Sequence, residues 1–598
     1  MAVFRSDQSQ LTYAMESAPG GDVELNNGSV VSSNPFHALL TAAHSAGTTQ
    51  LTYDTGTNTL TVGDFVRIGG IAEDANASAT TVVPFEIRRI EHFTTSGTSG
   101  AKTGTMFLDR PLGFSHANNA NIVEIDGSST TQQTKLITEV PGAYESITVP
   151  DMVPSYEPRY FLGVGQKRDW TKMYVGAQSF AGSLPGFIPL SGKPFRWAIG
   201  TVYDVPNAVT GSATITEPAT KGDIYITMSG SHGVTAGDYI AIYNGTSATL
   251  IGGSSGTAPT ADKSVEIHKV EAIPTTNVAR LDKPLRFDHA DDSIIREVAA
   301  DVPIQHRIEE SVLLDTMTWH LHMRDSSETA ANDFDRRYVG GFVGSSTISA
   351  DEGGMLMCSW DTVQFLDMMH NQENVSQSDV DPGSEAALTS LFSGDSFSAG
   401  MPRFSEMADI STSDAVYPST EPYYFSQGSV KIMGQEFARV RNFNLSISNG
   451  EEPRYYISPR HGRHRGPSEI REGRRSYGLS CTLALPDSGA SASAVGRNTA
   501  TEFFKQLLLE GNYGSGMEGF NIELTFTRGT NDTIQILIPS DYTSGDETTG
   551  AEPGLGENGA FLTSAPLPIG GDPILQVSAE FSCRNLAIIV TDTERVYT

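Results

Sequence analysis

Residues 281–289 read LDKPLRFDH, and residues 108–116 read LDRPLGFSH. A chance match would not bring its neighbours along, and here they come in order. TLTVGDFVRIGG (residues 59–70) stands beside GVTAGDYIAIYNG (233–245), and FEIRRIE (85–91) beside VEIHKVE (265–271). Matched blocks in one order mark an internal duplication. Apolar and polar residues alternate in DFVRI and DYIAI after a Gly-Asp turn, which is strand chemistry. The loops between blocks, AEDANASATT (72–81) and GGSSGTAPTADK (252–263), are too polar to form core. Each copy is therefore expected to be a small antiparallel β module, of barrel or sandwich type. Within it, Asp109 to Pro111 and Asp282 to Pro284 should turn the chain, with Pro fixing φ and Asp accepting a local backbone bond. Leu108, Leu112 and Phe114, like Leu281, Leu285 and Phe287, should anchor that turn, and His116 and His289 read as turn histidines.

The whole chain fits this picture. At 598 residues the expectation is about three to five domains. With 59 Gly, 30 Pro and many short Ser/Thr clusters, strands and turns are favoured over long helices. The longest strongly apolar run, LAIIV (586–590), is far short of the roughly 18 residues of a membrane helix, so no membrane insertion is expected. The start, MAVFRSDQSQ, has no apolar segment behind its Arg, which points to folding in a cytoplasm. Cys358, Cys481 and Cys583 each sit in an apolar strand pattern and read as buried free thiols. A net charge of −31 argues against tight nucleic-acid binding, because no cationic excess exists to displace counterions from phosphate. Only 11 of the 40 basic residues are Lys, an Arg bias that fits a high-salt setting and genomic base composition equally.

With modules at 46–127 and 209–299 set aside, the remainder (1–45, 128–208 and 300–598) reads as a β frame. SVLLDTMTWHLHMRD (311–325), YGLSCTLAL (477–485), GFNIELTFTRG (519–529) and ILQVSAEFS (574–582) alternate. In the third, Phe520, Ile522, Leu524 and Phe526 share one side, as in a half-buried strand with a polar face. One helix is expected at TEFFKQLLLEG (501–511), capped by Thr501, with Phe503, Phe504, Leu507 and Leu508 as its apolar stripe. The fold class is thus mainly all-β, with a sandwich or barrel frame, one helix and two small duplicated β modules.

FDRRYVGGFVGSSTISADEGGMLMCSWDTVQF (334–365) resembles the hallmark of siphovirus tail tube proteins: an aromatic and Gly-Gly opening a strand, a Ser-rich strand, an acidic Gly turn and a rising strand. Other pieces follow in that family's order. They are DQSQLTYAMESAPGG (7–21), WTKMYVGAQSFAGSLPGFIPLSGKPFRWAIG (170–200), VKIMGQEFARVRNFNLSISNGEEPRYYI (430–457), PSEIREGRRSYGLSCTL (467–483) and PILQVSAEFSCRNLAIIVTD (573–592). The resemblance covers the frame and leaves out the modules, which make the chain longer than such proteins usually are. It implies a homo-oligomer of stacked rings, typically of six, whose strands close one barrel around a channel. Closing the ring satisfies backbone groups that an open sheet would leave exposed. It further implies residence in a virion tail after synthesis in the host cytoplasm, and tail partners (tape measure, terminator and baseplate proteins). Genomic DNA would be passing cargo, sliding past strands whose polar faces are rich in Asp and Glu. The modules would project outside.

The stretch RYYISPRHGRHRGPSEIREGRR (454–475) holds Arg454, Arg460, Arg463, Arg465, Arg471, Arg474 and Arg475 with His461 and His464. It reads as a solvated loop, as a DNA-contact patch, or as an arm pairing with acidic residues of the next subunit or ring. In that third sense Arg460, Arg463, Arg465, Arg471, Arg474 and Arg475 are candidate inter-subunit contacts. Signs of other chemistry are weak. Gly252 to Gly256 spells GxSxG without a strand-turn-helix context. His320 and His322 share a strand face that is expected to be exposed and has no third zinc ligand nearby, and Asp379 to Gly383 carries only part of a calcium-loop pattern. No catalytic residue, cofactor or metal is expected. A capsid or baseplate protein, or a glycan-binding β-protein, would share the composition.

Overall fold

In the computed structural model the described residues are 9–16, 36–58, 60, 65–69, 85–108, 112, 115–125, 139–150, 155–161, 172–206, 209–223, 225–230, 232–244, 264–275, 277–299, 302–323, 334–370, 421–432, 435–436, 440–456, 466–484, 521–529, 531–540, 559–566, 576–593 and 597. The fold is all-β: a two-sheet frame, one closed six-stranded barrel and a second six-stranded module of the same strand order, called here the second barrel, whose seam is held by a single bridge.

The larger frame sheet has 11 strands. Its main path runs Ala560–Ser564, Gln576–Cys583, Ser476–Ala484, Val440–Ser448, Phe334–Asp351, Met357–Phe365, Phe180–Ile188 and Ala143–Tyr144, every pair antiparallel. Phe334–Asp351 is 18 residues long and serves two neighbourhoods. Its second half lies in the main path, while its first half pairs with Met317–Met323 and Asp367–His370, and Gln10–Met15 adds to Met317–Met323. The second sheet orders seven strands as Gly200–Pro206, Ile304–Glu310, Ala587–Asp592, Thr533–Ile538, Ile522–Thr527, Gly428–Ile432 and Gln435–Glu436.

Period-two alternation puts one apolar row of each sheet into a shared core. Ile348, Leu445, Leu479 and Phe581 align across the first sheet. Val202, Ile308, Ile588, Ile536, Leu524 and Val430 align across the second. Both rows belong to one buried cluster, and the Phe443 and Phe526 rings meet across it at 5.4 Å between centroids. A short helix, Arg196–Ile199, is buried along its whole length. Its Arg196 is held by Asp315 Oδ2 at 2.7 Å and the Tyr597 carbonyl at 2.8 Å.

The two barrels have one topology. The first closes in the order His37–Leu40, Gln50–Gly56, Lys102–Leu108, Phe85–Ser96, Phe65–Gly69, Asn121–Ile125. The second runs Val209–Thr214, Ile294–Val298, Tyr239–Tyr243, Glu266–Thr275, Val278–Leu281, Tyr225–Thr227, the same cycle in the opposite sense, with an Ile215–Met228 bridge at its seam. Registers agree residue by residue: Phe65 faces Arg89 as Tyr239 faces Lys269, and Arg67 faces Val123 as Ala241 faces Arg296.

The repeated nonapeptide has a defined task in this topology, which is to stitch the end of each barrel. The Leu112 N–H donates to Thr48 O at 2.9 Å and the Leu112 carbonyl accepts from Gly47 N–H at 2.7 Å; Leu285 repeats this with Asp223 O and Gly222 N–H, both at 2.8 Å. Gly47 and Gly222 have φ of 89° and 97°, a left-handed conformation that a side chain would strain. His116 then bridges His44, and His289 bridges Ala219.

Several expectations change. In the second barrel Leu281 and Leu285 are buried as expected, but Phe287 is half-buried and Arg286 takes the interior position. Asp282 accepts the Lys269 amide of a neighbouring strand at 3.0 Å, so its carboxylate ties the turn across the module. The first barrel already includes His37–Leu40, ahead of residue 46. The strand expected from residue 311 begins only at Met317. His320 and His322, expected on an exposed face, are buried, because Met317–Met323 lies between two strands and is covered on both faces. The helix expected at 501–511 lies outside the described residues, as do Phe114 and Phe520.

Candidate assembly surface

The outer face of the larger sheet is a field of small polar groups. Alternation that sends Ile348, Leu445, Leu479 and Phe581 inward sends Thr347, Ser446, Gly478 and Ser582 outward in one cross-strand row. The next row holds Ser349, Asn444, Ser480 and Glu580. Ser345 and Thr362 join hydroxyl to hydroxyl at 2.7 Å, and Thr347 bonds Asp361 at 2.8 Å. Hydroxyls and amides predominate here; the carboxylates of Asp361, Glu451, which Thr362 Oγ1 meets at 3.0 Å, and Glu580 are dispersed among them.

Both flanks of this sheet leave backbone groups open among the described residues. Ala560–Ser564 pairs on one side, with Gln576–Cys583. At the opposite flank, Phe180–Ile188 meets Ala143–Tyr144 at Phe187 and Ile188 alone, with one further bridge between Ser183 and Thr148. Pro185, which has no N–H to donate, is exposed on that flank. Such unpaired ladders are templates for another strand.

Two hairpins extend from one end of the sheet. One pairs Tyr156–Arg159 with Lys172–Val175, the other Glu452–Arg454 with Glu469–Arg471, and Tyr455 Oη of the second donates to Gln178 O, just after the first, at 3.2 Å. They expose Tyr156, Tyr160, Phe161, Tyr174, Tyr455 and Tyr456. Beside them, Val312 and Leu313 are 92% and 68% exposed. Their loop is held firmly: Ser311 Oγ bonds Leu313 O at 2.6 Å, Arg475 bonds Ser311 O at 3.0 Å, and the Leu314 amide meets Glu472 Oε1 at 2.5 Å. A pinned loop that presents two aliphatic side chains to water has the character of an interface knob.

The Arg candidates separate. Arg460, Arg463 and Arg465 lie outside the described residues. Arg471 is exposed, pairs with Glu469 of its own strand and lies 6.0 Å from the Tyr456 ring centroid. Arg474 is exposed. Arg475 is turned inward, with Nε on Asn449 Oδ1 at 2.7 Å and Nη1 on Ile199 O at 3.1 Å. Sequence reasoning missed the hairpin aromatics, whose signal was clustered tyrosine beside charge, YEPRYF and RYYI, without the alternation of a buried strand.

Cys358, Cys481 and Cys583 are free and buried, and burial pushes each thiol up to about 12, far from the thiolate. Gly252 to Gly256 and Asp379 to Gly383 lie outside the described residues, and among the described residues no group of three or more His, Cys, Asp or Glu is placed to hold a metal ion. No described helix is long and apolar enough to cross a membrane.

Comparison with known proteins agrees with this architecture. A search of curated proteins finds no match. A family model described as phage tail tube protein matches residues 163–583, well over half of the sequence and including most of both frame sheets. The chain therefore belongs to the phage tail tube protein family, as a structural component of the virion tail and not an enzyme.

Proposed function

We propose that this subunit polymerises into stacked rings, six copies to a ring, forming the hollow tube through which genomic DNA passes. The observation that carries the reading is the larger sheet: two open flanks and, between them, an outer face of Ser, Thr and Asn. Joining the Ala560–Ser564 flank of one copy to the Phe180–Ile188 flank of the next would pair their open backbone groups and close a barrel. The hydroxyl and amide face would then line the channel. It carries no guanidinium or ammonium rows to hold phosphate, and the chain's net charge of −31 discourages lasting contact with DNA. The aromatic hairpins and the Val312–Leu313 knob would engage the next ring, together with Arg460, Arg463, Arg465, Arg471 and Arg474.

The division into a two-sheet frame and two modules carried on the outside of the tube, the first begun by His37–Leu40 and running to residue 127, the second at 209–299, is part of this proposal. So are the tape measure, terminator and baseplate proteins as partners. The test is electron microscopy of the purified protein over a range of protein and salt concentrations. Hollow filaments with a regular ring repeat are expected; closed shells, lone rings or monomers throughout would overturn the reading.

A further inference from the structure

We infer that the second barrel is a fixed part of the subunit body, locked to the two-sheet frame by a buried clasp of charges to which its repeated nonapeptide contributes, and not a separable ornament. This goes beyond the tube reading and does not depend on it.

The clasp centres on Asp204, a fully buried carboxylate in a frame strand whose side chain leaves the frame's own ladder and enters the barrel's. Its Oδ2 accepts the amide of Ile267 at 2.9 Å, its own amide donates to Val265 O at 2.9 Å, and its Oδ1 meets His306 Nδ1 at 2.6 Å. A barrel strand and a frame strand are thus bonded to one side chain. Behind Ile267 lies Glu266, equally buried, which accepts the amides of Arg286 at 2.8 Å and Phe287 at 3.2 Å. It also meets His268 Nε2 at 2.9 Å and His289 Nε2 at 2.7 Å. Arg286, Phe287 and His289 all come from LDKPLRFDH, so the nonapeptide is organised around the same pair of carboxylates. Arg286 lies between them, 3.9 Å from Glu266 and 4.0 Å from Asp204.

Around this centre, contacts to other frame segments repeat the sign pattern. Lys283 of the nonapeptide bonds Glu139, which Lys193 also approaches at 3.6 Å. Lys221 reaches Asp315 at 3.0 Å, the carboxylate that holds Arg196. Three barrel residues, Ala241, Ile267 and Val298, share a buried apolar cluster with Ile304 of the frame, flanked by Tyr239 and Tyr243. Burial works against charging His306, yet Asp204 first and then Asp592 raise it to about 9. Where the second barrel carries Lys283 and Arg286, the first carries Arg110 and Gly113, so the Arg286 contact belongs to one copy of the duplication.

Hydrogen exchange read by mass spectrometry tests this on the full chain under conditions that keep it monomeric. The amides of Ile267 and Asp204 each bond across the junction, so in the unaltered protein they should exchange as slowly as the core amides of Val440–Ser448. In a Glu139→Gln, Asp204→Ala double variant, exchange at residues 202–206 and 264–270 should rise at least a hundredfold while Val278–Leu281 stays protected. Fast exchange at Ile267 and Asp204 in the unaltered protein would overturn the inference, whether or not the variant folds. So would a folded variant with unchanged exchange at both stretches.

Discussion

Replacing Arg475 by Ala should unfold the subunit far more readily than replacing Arg474, although the two are adjacent and equally basic. The Arg475 side chain is 10% exposed and fixes three separate segments: the Asn449 side chain at 2.7 Å, the end of the short helix through Ile199 O at 3.1 Å, and the knob loop through Ser311 O at 3.0 Å. Asn449 extends the tie, donating to Ala198 O at 3.0 Å and Val343 O at 2.8 Å. Glu310 and Glu472 stand 3.6 and 3.8 Å from the guanidinium. Hydrogen bonds to a charged group are each worth about 1.5–3 kcal/mol, but here water can reach part of the vacated site. A net loss of about 3–5 kcal/mol is expected, in the range for breaking a buried ionic contact from one side. Arg474, an exposed neighbour, should cost less than about 0.5 kcal/mol. Urea unfolding of the two variants at neutral pH, with fixed m-values, measures the difference. If Arg475→Ala unfolds within about 0.5 kcal/mol of the unaltered protein, the inward tie carries no weight and the reasoning fails.

Other expectations follow from separate features. Arg474→Glu should leave the urea midpoint in place while slowing filament growth; equal growth rates would remove it from the inter-ring contact. Val312→Ser with Leu313→Ser should also spare the monomer, and raise the concentration needed for assembly at least tenfold, since each buried aliphatic side chain contributes about 1.5–3 kcal/mol; light scattering reads this, and an unchanged threshold refutes the knob. Burial opposes charging of His268 and His306, but Glu266 and Asp282 beside the first and Asp204 and Asp592 beside the second hold both at about 9. Groups raised on folding stabilise fully below the ordinary histidine range and lose that contribution as pH climbs through about 9, so the urea midpoint should fall between pH 7 and pH 10; a flat profile would show that the two are not charged. Gly104→Ala places a Cβ 1.8 Å from Thr94 O, and should cost the first barrel about 3 kcal/mol, seen as new proteolytic cleavage within residues 85–108.

Strand identity was legible in the sequence wherever one face meets core and the other does not. Val577, Ala579 and Phe581 are buried while Ser578, Glu580 and Ser582 are exposed, as the alternation of ILQVSAEFS requires. Legibility failed where a strand is covered on both faces, because hydrophobic contrast then disappears. His320, His322 and Glu523 look like outward residues and are interior, the last held by Gln535 at 2.7 Å. The duplication was readable from spelling, but the choice of interior residue in LDKPLRFDH was not: hydropathy favours Phe287, while the carboxylates of Glu266 and Asp204 favour Arg286. Those carboxylates are far apart in sequence, and their meeting is a product of folding. The same limit applies to the assembly surface, since nothing in RR distinguishes the Arg that turns outward from the one that turns in.

A ring of strands whose last member bonds its first is complete in itself. When such a unit is copied within a gene, a twin whose seam is already bridged, as Ile215 and Met228 bridge the second module, offers little loose selvage on which to trade strands with the original. Lengthening the open frame sheet in the same way would have offered every nascent chain a wrong mate. Internal copying in this protein has thus fallen, on physical grounds, on the parts that come nearest to finishing their ladders without a neighbour.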